Sequence, residues 1–168
     1  AFCCMLGEGA MADWSTNYML NIAQAPAALA PIGLSAFALA MTTGRFFGDA
    51  ARARWGHQKL MVACGFLATA GMIIALGFPY PYTTIIGLFI TGAGLSSIVP
   101  IAYSIAGNTK DLPPGVGLAM VTTVGYSGFL FGPPLIGLLA DWYSLRIALG
   151  LVGVLFVIMT LLSARYKS

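Results

Sequence analysis

Gly44-Arg45-Phe46-Phe47-Gly48-Asp49-Ala50-Ala51-Arg52-Ala53-Arg54-Trp55-Gly56-His57-Gln58-Lys59 carries half of all the lysine and arginine in a chain of 168 residues. The segments on either side are apolar for lengths near the ~20 residues that an α-helix needs to cross a bilayer. Charge confined to such a joint marks the side of the membrane that the joint occupies. The composition agrees. Charged residues make up 8% of the chain and hydrophobic ones 59%, whereas soluble domains carry roughly 25% charged residues. A water-exposed surface cannot be built from this material, and the modest net charge of +3 forms no basic stripe for nucleic acid.

Working outward from that joint, apolar length and polar punctuation predict six spans: 1–20, 27–47, 59–78, 83–106, 115–139 and 145–164. Pro26, Pro79-Tyr80-Pro81-Tyr82, the Asn108-to-Gly115 loop and the Asp141-to-Arg146 turn separate them. A strand barrel fits poorly, because the runs are twice a strand's length and lack period-two alternation. With the second joint inside, Arg45, Arg52, Arg54, Lys59, Lys110, Arg165 and Lys167 all fall inside and only Arg146 outside. The positive-inside rule then places both termini in the cytoplasm. Tyr80, Tyr82, Trp142 and Tyr143 form the expected aromatic belt at the opposite face. Asp13-Trp14-Ser15-Thr16-Asn17 reads as an outer interface reached after only about a dozen residues, short of the ~20 a span requires. The expectation is therefore a first helix truncated at its amino end, in a fragment of a longer protein.

Gly48-Asp49-x4-Arg54 ends the second span, and Ala140-Asp141-x4-Arg146 ends the fifth. Two similar sites on opposite faces are what an inverted three-plus-three repeat produces. Gly44-Arg45-x2-Gly48-Asp49-x4-Arg54-x-Gly56 resembles the loop motif of the major facilitator superfamily. Gly125-x2-Gly128-x3-Gly132-Pro133-Pro134-x2-Gly137 is similar to the Gly/Pro motif of that family's fifth and eleventh helices. The resemblance covers residues 1–168 as the carboxyl-terminal half, helices seven to twelve. It implies an all-α polytopic fold, a 3+3 inverted repeat forming half of the family's architecture, and an absent amino-terminal six-helix half as partner. Ala50-Ala51 and His57-Gln58-Lys59 depart from the loop's usual basic residues. The overall look is that of bacterial inner-membrane members.

Several residues are candidates for function. Glu8 lies inside a span, where an ionisable group is costly and suggests a functional site by default; burial would let its protonation couple to conformation. Asp13 is a second acidic candidate, nearer the expected interface. Tyr103, Ser104 and Tyr126 could contact a solute, although hydroxyls in spanning helices commonly bond backbone or a neighbouring helix instead. The resemblance gives Gly44, Arg45, Gly48, Asp49, Arg54 and Gly56 a conformational role, with Asp49 and the arginines as a latch. Topology and contact with anionic lipid would serve those arginines equally well. Gly125, Gly128, Gly132, Pro133 and Gly137 form a helix-packing motif, and Pro100 and Pro133-Pro134 are expected to kink their helices.

Enzyme chemistry finds no support. His57 is the single histidine, Cys3, Cys4 and Cys64 have no zinc-ligand spacing, and no phosphate-binding glycine loop is present. No metal or cofactor is expected. The function implied is secondary transport of a small solute by alternating access, driven by an ion or solute gradient with a proton as the candidate ion. A non-transporting scaffold or sensor, and a six-helix unit acting as a homodimer, are the rival expectations.

Overall fold

A computed structural model describes residues 1–109 and 113–166. Its secondary structure, among the described residues, is α-helical: α1 (Phe2–Asn21), α2 (Ala30–Trp55), α3 (His57–Gly77), α4 (Pro81–Leu95), α5 (Ile98–Gly107), α6 (Pro114–Trp142) and α7 (Leu145–Arg165). Four stretches are long and apolar enough to cross a membrane: α3, α4 with α5, α6 and α7. This is an integral membrane protein. α1 and α2, which carry more polar residues, complete the bundle by packing on the other helices.

The chain order closes into a two-fold pattern. α1 packs on α6 as α2 packs on α4, and α3 meets α4 as α7 meets α1. Exchanging the first three spans for the last three reproduces these pairings, as an inverted three-plus-three repeat requires.

One expectation is corrected. The charged joint at 44–55 is not a loop. α2 runs through it to Trp55, because no breaker intervenes before Gly56, whose φ of 78° suits a glycine. The fourth span runs Pro81–Gly107 and is interrupted at Ser96–Ser97 between α4 and α5, one turn before Pro100, where a kink is expected. Pro100 explains the position: its ring collides with the carbonyl four residues back and offers that carbonyl no N–H. By contrast, α6 continues through Pro133–Pro134. Ser15 is 1% exposed, Tyr18 is equally buried, and α1 extends to Asn21. Lys110 and Lys167, which entered the charge count, lie outside the described residues.

The glycines of α6 set how closely α1 approaches. A Cβ on Gly128 would meet the Phe2 carbonyl at 2.7 Å, and one on Gly132 would meet Leu6 at 2.8 Å. Gly125 faces Met5 and Gly137 faces Trp14 along the same seam. Close approach of this kind drives helix association in a bilayer, where apolar burial between helices gains little over lipid. The same seam includes Gly9, whose Cβ position lies 3.2 Å from the Phe129 carbonyl. Ala12, Asp13, Asn17 and Leu20 of α1 are exposed.

Candidate functional site

Glu8 lies on the side of α1 that meets α2. Its Oε1 lies 3.3 Å from Nη2 of Arg45, joining α1 to α2. The two helices are antiparallel across the short connection at Pro26, which falls midway between Glu8 and Arg45 in sequence. Residues equidistant from such a turn come level, so chain geometry alone brings the charges together. The Glu8 side chain is 27% exposed and that of Arg45 49%. The same guanidinium nitrogen also contacts Met41 Sδ at 3.2 Å. One turn from Glu8, the buried Cys4 thiol donates to the Leu95 carbonyl at 3.6 Å, tying α1 to the last turn of α4 beside the Ser96–Ser97 break.

The remaining motif residues of α2 divide by face. Gly44 and Gly48 point inward, and a Cβ on either would run into the side chain of Ser96 or Ser97. They therefore make room for the interruption in the fourth span. Asp49 and Arg52 form an exposed pair at 3.3 Å, three residues apart on the helix. Arg54 has no carboxylate within ion-pair distance among the described residues; it lies in the last turn of α2, where a cation complements the helix dipole.

At the opposite end of the bundle a second polar construction caps α3. Its final carbonyls have lost their helical donors: Ala75 would need the N–H of residue 79, which is proline, and Tyr80 N–H is turned to Phe78. Tyr18 of α1 donates its hydroxyl to the Ala75 carbonyl at 3.1 Å. Arg146 of α7 donates Nε to Leu76 at 2.8 Å and Nη2 to Gly77 at 3.4 Å. Trp14 of α1 donates Nε1 to the Pro133 carbonyl of α6 at 3.0 Å. α3 returns the favour at the other end, where Gln58 donates to the Ala164 carbonyl of α7 at 2.9 Å.

The structure does not gather the five solute or proton candidates into one pocket. Glu8 pairs with Arg45. Asp13 is exposed farther along α1, Tyr103 and Ser104 are half-buried on α5, and Tyr126 is exposed on α6. None of the five lines the apolar cavities between α3 and α7 or beside Met61 and Met120. Sequence reasoning placed Arg45 near the end of the second span and missed it as the partner of Glu8; the signal available was their symmetry about Pro26. It also missed Tyr18, whose role is signalled by a proline four residues after Ala75. No group of three or more metal-ligating side chains occurs among the described residues.

Comparison with known proteins bears on what this bundle is. The family model described as Major Facilitator Superfamily matches residues 1–167. An uncharacterized MFS-type transporter of Yersinia pestis is 36% identical, over 93% of this chain and 41% of that protein. The membrane protein MosC of Rhizobium meliloti is also 36% identical, over 100% of this chain and 42% of its own length. The chain thus spans about two-fifths of the relatives it matches. Among solved structures, the POT family transporter PepTSo superposes with a TM-score of 0.80 at 18% identity, over 96% of this chain and 34% of that one. That likeness concerns the fold. With the family model matching nearly end to end, the chain belongs to the major facilitator superfamily.

Proposed function

We propose that this chain is the carboxyl-terminal six-helix half of a secondary transporter that moves a small solute by alternating access, with Glu8 as its proton-responsive group. The observation that carries the reading is the Glu8–Arg45 pair, which joins α1 to α2 with side chains 27% and 49% exposed. An ionisable pair within spanning helices is expensive to keep, and its usual return is an ion or substrate pathway. Protonating Glu8 would release Arg45 and loosen the α1–α2 contact at that level. Asp13, Asn17, Tyr103, Ser104 and Tyr126 then belong to a cavity wall that an opposing amino-terminal half completes. Half a cavity is a surface, which accounts for their dispersal. Gly44 and Gly48 against the Ser96–Ser97 break supply a joint for rocking, and Asp49 with its arginines a cytoplasmic latch.

The charge asymmetry and the bacterial relatives support an inner-membrane location with both ends of this half in the cytoplasm. The test uses the full-length protein in proteoliposomes. A panel of solutes is ranked by thermal stabilisation, and the best is followed by counterflow and by uptake under an imposed pH gradient. Glu8→Gln should retain counterflow and lose gradient-driven accumulation. Unaltered accumulation with the same pH dependence rejects the coupling role; absence of flux for any stabilising solute favours the scaffold or sensor alternative.

A further inference from the structure

A groove of about 460 Å³ runs between α3 and α7, opening at the end of the bundle that carries Phe78 and Ser144. At the other end the two helices touch, since a Cβ on Gly65 would collide with Thr160. They separate toward Gly150, where an added Cβ would find nothing within 4 Å, and Gly153, where it would meet only Met72 at 3.4 Å. Met72, Ile73, Leu76, Val154 and Val157 provide apolar walls, and Arg146 stands at the mouth. From Arg146 to Val157 the groove extends roughly 16 Å at ~1.5 Å per residue. That is about half of the ~30 Å hydrocarbon core, the depth of one leaflet. Exposed Trp142 and Tyr143 lie beside the mouth, as at a membrane–water interface.

Arg146 is fixed by its bonds to the Leu76 and Gly77 carbonyls, has no carboxylate within ion-pair distance among the described residues, and keeps guanidinium N–H groups beyond the two those bonds use. An apolar slot one leaflet deep with a preset guanidinium at its mouth has the chemistry of a lipid site. We propose that the α3–α7 groove holds an acyl chain of a glycerophospholipid whose anionic headgroup is bound by Arg146. This site is separate from the Glu8–Arg45 pair and does not depend on what the protein transports.

The experiment takes the delipidated full-length protein and titrates phosphatidylglycerol or phosphatidylcholine, reading retained lipid by native mass spectrometry and size by chromatography. Wild type should take up phosphatidylglycerol with a roughly five-fold preference, the effect of one basic group near an anionic headgroup. Arg146→Gln should abolish that preference while leaving acyl binding. Gly150→Leu fills the groove without touching the charge, at a position where an added Cβ meets nothing and leucine is a better helix former than glycine. It should weaken both lipids by about ten-fold, as expected when two methylenes lose contact. Wild-type retention in Gly150→Leu overturns the proposal, as does equal binding of the two lipids by wild type. A dimer that Gly150→Leu converts to a monomer also overturns it, because the groove would then seat a second protein copy.

Discussion

Asp49-x4-Arg54 and Asp141-x4-Arg146 share a spacing but not a structure. The first lies wholly within α2, whose last turn welcomes arginine, and Asp49 pairs with the nearer Arg52. The second straddles a turn. Ser144 caps α7 by accepting the Ile147 N–H at 3.2 Å, so Arg146 stands in the first turn of a new helix. A cation there is disfavoured by the dipole of its own helix, and it reaches instead to the electron-rich end of α3. The lesson is that an arginine at a helix end is defined by which carbonyls it can reach. The contrast extends to Arg45, which sits mid-helix and finds a carboxylate because α1 runs antiparallel beside it.

The largest effect expected bears on Arg45. Glu8→Gln and Arg45→Gln should each reduce gradient-driven uptake about thirty-fold, equivalent to ~2 kcal/mol. The double variant should be no worse than either single one. Strictly multiplicative losses in this cycle would show that the two residues act independently. At the α3 cap, Tyr18→Phe should lower stability in detergent by about 1.5 kcal/mol. That is near the upper range for hydrogen bonds within membrane bundles, because Ala75 has no alternative donor. An unchanged melting temperature would mean that the hydroxyl bond is not what holds this corner. The smallest effect belongs to the exposed pair: Asp49→Asn should cost under about 0.5 kcal/mol of stability. If melting is unchanged while uptake falls, the latch reading of Asp49 gains support; unchanged uptake with normal expression removes it.

Much of the bundle is legible in the residues. Four of the helices are legible from apolar length, because a bilayer demands that every backbone group be satisfied within its own helix, whereas α1 and α2 carry more polar residues. The family follows from glycines, prolines and charges at fixed offsets. What was misread lies where a local pattern competes with helix continuity. Gly44 to Trp55 contains charge but no breaker, so the helix persists; the interruption at Ser96–Ser97 falls one turn before Pro100, where the residues already point to a kink. Within Asp13 to Tyr18, Ser15 and Tyr18 turn into the bundle while Asp13 and Asn17 stay exposed on the same helix, a division that packing and not composition decides.

By itself, then, the sequence determined that this protein is a helical membrane bundle of the major facilitator type, since solvation in a bilayer is read from composition and length. Pairings between distant residues belonged to the tertiary structure. It brought Glu8 to Arg45, set Tyr18 and Arg146 over the orphan carbonyls of α3, and opened the groove along Gly150. The physical reason is that the membrane's demand acts on each helix separately. Which polar group answers which is decided only when the helices pack and leave specific carbonyls and charges without a local partner.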